Sequence, residues 1–216
     1  MTMKKNLTEI VFILDRSGSM HGLEADTIGG YNSMLDKQRR EKGEAYVSTV
    51  LFDDECEVIH DRVPIDRIAD ITEKEYYVRG CTALLDAVGE SIRHIGNIHK
   101  YAREEDIPAR TLFIITTDGM ENASRLYTYD RVKEMIERQK ERYGWEFLFL
   151  GANIDAAAVG ARMGIDHDHS VEFKNDGIGQ RVNYEAMSDA ISYMRACSAP
   201  LRPTWKDKIL KDRNRK

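Results

Sequence analysis

Three short runs of apolar residues, Ile10–Leu14, Leu112–Ile115 and Phe147–Leu150, constrain the fold more than any other feature of the chain. Each run is continuous, so neither side of the segment is suited to water. Each is too short to make a helix, and all are rich in Ile, Phe and Leu. Strands buried on both faces have this character, and they belong to parallel sheets covered by helices. Val47–Phe52 reads as another strand, the more polar Glu57–Val63 as an edge strand, and Ser170–Phe173 as a sixth. Helical patterns fall between them. Leu23, Ile28, Tyr31 and Leu35 share one helical face before a stop at Gly43, and Leu84, Leu85, Val88, Ile92 and Ile95 share another that runs on to about Tyr101. Val132, Ile136 and Gln139 mark a third helix ended by Gly144, Ala156–Met163 a short fourth, and Tyr184–Ala196 a fifth. Strands alternating with helices predict an α/β fold: a doubly wound, mostly parallel six-stranded sheet with helices on both faces.

The 216 residues suffice for one sizeable core. One domain is expected over residues 5–198, because composition shifts only near Pro200. Beyond it, "LRPTWKDKILKDRNRK" sets seven Lys and Arg against Asp207 and Asp212, so 199–216 reads as a basic C-terminal tail. That tail is either an interaction arm anchored by Trp205 and Ile209 or a solvated or self-docked terminus. In both readings it is dispensable for folding. The net charge of −5 argues against a nucleic-acid partner. Lys4 and Lys5 precede only five apolar residues before Asp15 and Arg16, which is too short for a signal peptide, and no stretch approaches a membrane span. A cytoplasmic location is expected. Cys56, Cys81 and Cys197 match no zinc or redox spacing and read as reduced, packed thiols.

The first apolar run ends abruptly in "DRSGSM". In an open α/β sheet, ligands bind beyond the carboxyl ends of the strands. Asp15 follows the first strand directly, and Asp118 follows Leu112–Ile115 in "FIITTDGMENAS", so both carboxylates emerge at the same sheet edge. Ser17 and Ser19 alternate on the loop after Asp15, and Thr82 opens the second helix in "RGCTALLDAVGESI". Two carboxylates and three hydroxyls are hard oxygen donors of the kind magnesium takes, and manganese takes them too.

These three segments resemble the von Willebrand factor A domain family. Its metal-ion-dependent adhesion site has the pattern DxSxS, then a threonine, then an aspartate, here Asp15-Arg16-Ser17-Gly18-Ser19, Thr82 and Asp118. The elements match in order over residues 8–197. "TDGMENAS" through "GWEFLFLGANIDA" is similar to small bacterial and phage proteins built of this domain alone. The resemblance implies a Rossmann-like sheet with one antiparallel edge strand. It also implies a divalent metal that takes an Asp or Glu from a protein partner.

Other residues admit two readings. Asp86, one turn beyond Thr82, either holds a metal-bound water or complements the helix dipole. Glu121 and Asn122 either shape the ligand surface or are exposed loop polarity. Met120 stands where many members of the family carry an acid. Arg16 and His21 either touch an acidic partner or are solvated, and His167 and His169 in "DHDHS" form at most a weak metal pair.

The expected function is a non-enzymatic, metal-dependent protein-interaction module. A metal-dependent phosphoester hydrolase is the alternative, but it lacks the carboxylates of a two-metal site, and no GxxxxGK[ST] loop is present. A subunit partnering an ATPase, in a chelatase-like or stress-response complex, is a third reading.

Overall fold

The computed structural model describes residues 4–197 and 199–215. Residue 198, where the sequence places the domain boundary, and residue 216 lie outside the described residues. Six strands form one sheet: β1 (Lys4–Asp15), β2 (Glu44–Phe52), β3 (Cys56–Pro64), β4 (Pro108–Thr117), β5 (Glu146–Gly151) and β6 (Ser170–Glu172). Their spatial order is β3-β2-β1-β4-β5-β6. All pairs are parallel except β2 with β3, the polar edge strand expected from the sequence. The helices are α1 (Glu24–Arg39), α2 (Leu84–Tyr101), α3 (Tyr129–Tyr143), α4 (Ala156–Arg162), α5 (Gly177–Ala196) and α6 (Asp207–Arg213).

The period of two along β1 divides the core. Ile10, Phe12 and Leu14 face a cluster completed by α1 and α5, through Tyr31, Met34, Leu35, Met187, Ile191 and Met194. Val11 and Ile13 face the other cluster, completed by α2, α3 and α4 through residues such as Val88, Ile92, Ile136 and Ala156. Successive strand side chains point to opposite faces, so an unbroken apolar run requires helices on both. Burying each Phe, Leu or Ile contributes roughly 1.5–3 kcal/mol.

The structure departs from the sequence reading in three places. Strand β1 starts well before Ile10 and carries the fully buried Glu9. Glu9 is tolerated because Arg62 Nε donates to its two oxygens at 3.0 and 2.9 Å and His99 lies 3.2 Å away. Helix α5 starts at Gly177, seven residues ahead of Tyr184, because the Asp176 side chain caps it by accepting from Gly179 N. The tail, finally, takes the self-docked reading rather than that of an arm or a solvated end. Leu201, Trp205 and Ile209 sit in the same cluster as α1 and α5. Cutting a buried Trp to Ala costs about 3–5 kcal/mol, so removing this segment is expected to cost stability.

Candidate metal centre

Strand order reverses between β1 and β4, with β2 and β3 to one side and β5 and β6 to the other. Leu14 pairs with Thr116 at their carboxyl ends, so Asp15 and Asp118 leave neighbouring strands at this switch point. Beyond β1 the chain turns into a short 3₁₀ segment, Gly18–Met20. Ser17 N donates to Asp15 Oδ1 at 2.7 Å, which folds the loop back over the carboxylate. The Ser17 and Ser19 hydroxyls are 3.0 Å apart, and Ser19 Oγ donates to Asp118 Oδ1.

Thr82 arrives on a long segment between β3 and α2. That segment is anchored by Ile65, Ile68, Ile71 and Tyr76, all buried. It is laced to the Asp15 loop by hydrogen bonds. Gly18 N donates to Gly80 O at 3.1 Å, Arg79 N to Arg16 O at 2.9 Å, and Tyr76 OH to Asp15 O at 2.6 Å. Gly80 has φ +68°, and a Cβ there would overlap the Asp54 carboxylate, so only glycine lets the segment pass. The Asp118 loop closes over Thr82 from the other side. Asn122 Oδ1 accepts from Thr82 N at 2.9 Å, and Thr82 O accepts from Asn122 N and Ala123 N at 3.0 and 3.2 Å. A Cβ added to Gly119 would stand 3.3 Å from Ser19 Oγ and 3.5 Å from Thr82 Oγ1, so the two hydroxyls flank the Asp118–Gly119 turn. Four of the five expected residues, Asp15, Ser17, Ser19 and Asp118, are thus joined in one hydrogen-bonded set, and Thr82 borders it across Gly119.

Both carboxyl groups are raised above the ordinary aspartate value by burial. Hydrogen bonds from Ser17 and Thr117 work against the rise at Asp15, and the Asp118 charge adds to it. Hydrogen bonds from Ser19 and Asn175 work against it at Asp118. Among the described residues the donors to Asp15 and Asp118 are neutral: Ser17 N, Thr117 Oγ1 at 2.6 Å, Ser19 Oγ, and Asn175 Nδ2 at 3.1 Å. Among the described residues no Lys, Arg or His pairs with either.

Neighbouring residues take different roles from those the sequence suggested. The Asp86 carboxylate serves the backbone: it accepts from Arg125 N, Leu126 N and Tyr127 N and so fixes the turn after Asn122. Glu121 accepts from Leu85 N, Ala123 N and Ser124 N, and it ties the first turn of α2 to the Asp118 loop. Arg16 is fully buried and bound to Asp53 and Glu57, so it is neither solvated nor free to touch a partner. His21 and Met120, 87% and 71% exposed, do face outward beside the site. His169 is partly buried, and burial lowers its pKa. Asn175 was missed entirely. Its only sequence signal is its place just after β6, at the same sheet edge.

No family model and no curated protein matches the chain by sequence. Solved structures match its fold. The vWF domain of the type V pili tip protein Mfa5 from Porphyromonas gingivalis has a TM-score of 0.62 at 10% identity, over 91% of this chain and 98% of that one. The von Willebrand factor type A structure from Catenulispora acidiphila has a TM-score of 0.57 at 16% identity, over 86% and 42%. Proximal thread matrix protein 1 from the mussel byssus, with a zinc-occupied MIDAS motif, has a TM-score of 0.59 at 13% identity, over 87% and 46%. The chain spans less than half the length of the last two.

Proposed function

The chain has the fold of a von Willebrand factor A domain, and we propose that it is a metal-dependent protein-interaction module. A divalent cation, Mg²⁺ or Mn²⁺, is held by Asp15, Ser17, Ser19, Thr82 and Asp118 and receives an Asp or Glu of a protein partner. The observation that carries this reading is the gathering of three hydroxyls around two buried carboxylates that no cation among the described residues pairs with. The residues fit the ion: hard oxygens suit Mg²⁺, two carboxylates balance its charge, and the hydroxyls add none. The zinc in the mussel protein supports a divalent ion at this motif. Bound there, the ion supplies an electrophilic centre for an incoming carboxylate.

The site is a docking point and not a catalytic one. The candidate ligands include only two carboxylates, fewer than a two-metal hydrolase gathers around its ions. Among the described residues no helix is long and apolar enough to cross a membrane. The three cysteines are free, as a reducing compartment keeps them, and we place the protein in the cytoplasm.

Titration calorimetry with Mg²⁺ and Mn²⁺ tests the site. One-site binding that Asp15→Ala abolishes supports it, and unchanged affinity in that variant rejects it. Capture of an acidic partner from host extract should be lost with EDTA and restored by Mg²⁺. Turnover of a phosphodiester that needs both the metal and Asp118 would favour the hydrolase.

A further inference from the structure

Asn175 lies on the short connection from β6 to α5, and it reaches Asp118 from the side opposite Ser19. Its Nδ2 donates to Asp118 Oδ2 at 3.1 Å, and its Oδ1 is buried with no hydrogen-bond partner among the described residues. The connection that presents it is held by the end of the chain. Arg215 donates to both oxygens of Asp176, at 2.7 and 2.5 Å, and Lys174 Nζ donates to the Arg215 carbonyl at 3.1 Å. Arg213 pairs with Glu172 at 3.1 Å. Further back, Trp205 Nε1 donates to Asp168 O at 2.9 Å, and Lys206 Nζ to His167 O and Ser170 O at 2.6 and 3.2 Å. The C-terminal segment therefore grips the chain on both sides of β6. Trp205 and Ile209 already anchor it to the core, so the Arg213 and Arg215 contacts are not needed to dock the segment. The Arg215 contacts bear instead on Lys174 and Asp176, the two residues that flank Asn175.

We infer that the C-terminal segment is a strap: Arg215, through Asp176 and Lys174, positions Asn175 on the outer oxygen of Asp118 and so sets how that carboxylate is offered to the metal. The effect on affinity rests on the metal-centre reading, whereas the strap itself does not. Asn175 and Arg215 are positioning residues, and partners that orient a ligating carboxylate typically change metal affinity by about 10–100-fold.

The test uses the full chain and two readouts. In metal-free buffer, Arg215→Ala should shift the NMR cross-peaks of the Asn175 side-chain amide and the Gly119 backbone amide. Its melting temperature should stay within about 2 °C, as befits a partly exposed pair. With Mg²⁺ as the probe, Asn175→Ala should weaken binding by about 10-fold or more. Arg215→Ala should weaken it by a smaller factor, and Arg215→Lys should restore part of the loss. Cross-peaks of Asn175 and Gly119 that stay in place in Arg215→Ala overturn the strap. Moved cross-peaks with unchanged Mg²⁺ affinity overturn its coupling to the metal. Wild-type protein that binds neither Mg²⁺ nor Mn²⁺ overturns the metal-centre reading alone, and the cross-peaks still decide the strap.

Discussion

Asp15 and Arg16 are adjacent in the chain, both are buried, and they belong to opposite kinds of charge cluster. Arg16 is answered from within the protein. Its Nε donates to Asp53 at 2.7 Å and its Nη1 to Glu57 at 2.7 Å, while Arg79 Nε reaches the same Asp53 oxygen at 2.8 Å. The Tyr77 ring lies 5.2 Å from the Arg16 guanidinium carbon and 5.6 Å from that of Arg79. Asp15 receives only neutral donors, and the nearby charge that acts on it is another aspartate. A cluster that neutralises itself is completed by folding. On the proposed reading, one that gathers two buried carboxylates, with no cation among the described residues, is completed by something that binds. The first therefore reads as structural and the second as functional, although one peptide bond separates them.

The largest expected effect breaks the neutral cluster. Asp53→Asn leaves Arg16 buried with only Glu57, whose side chain is half exposed, as its counter-charge. Removing one partner of a buried pair costs about 3–5 kcal/mol, visible as a lower urea midpoint at unchanged slope. The double variant Arg16→Met with Asp53→Leu should recover much of that loss, because it leaves no orphaned charge. A loss below about 1 kcal/mol in Asp53→Asn would put the pair among surface-like bridges and dissolve the contrast.

This contrast also marks what the sequence can convey. That Asp15 and Asp118 meet was legible, because parallel strands deliver their carboxyl ends to one edge and the apolar runs fix where those strands end. The partner of Arg16 was not. Asp53 is 37 residues away, and beside a polar loop an arginine looks solvated. The partners of Asp86, Glu121 and Asn122 were hidden for a similar reason: their acceptors serve backbone N–H groups that come close only once the loops are folded. The docking of the tail was only half legible beneath its net charge. Leu201, Trp205 and Ile209 recur every four residues, a helical stripe that seven basic residues obscured.

A smaller effect sharpens the comparison from the acidic side. A cation that binds only the folded protein stabilises it by about 2.7 kcal/mol at a hundred times its Kd. For a domain of this size that is a rise in Tm of roughly 5–10 °C. Asp15→Asn should abolish the rise and leave the metal-free protein no less stable, since it removes a buried, unanswered charge. Asp53→Asn should lower the Tm with and without Mg²⁺ by similar amounts and keep the rise. Calorimetric melts of the three proteins at equal ionic strength separate the clusters. Loss of the Mg²⁺ increment in Asp53→Asn would mean that the two are one unit.

The smallest effect is in pH, where the two clusters have opposite signs. Burial alone would raise Asp53, but Arg79, the Glu55 N–H and Arg16 outweigh it and hold the carboxyl below its ordinary 3.8. Its stabilisation is therefore complete above that value and is lost as the pH falls through the lower folded one. Asp15 and Asp118 are raised. In the metal-free protein they bind protons more tightly folded than unfolded, so acidification from neutral pH through their raised values stabilises the fold until the ordinary 3.8 is reached. With Mg²⁺ the sign reverses, because ligands must lose their protons to hold a metal. The Tm difference between Mg²⁺-loaded and metal-free protein should then shrink as the pH is lowered from about 7 towards about 4, while the Asp53 contribution holds over most of that range. Melts in matched buffers measure it. A difference that stays constant to about pH 4 would mean that burial does not raise the two carboxyls, and the acidic cluster would lose the property that sets it apart from its neighbour.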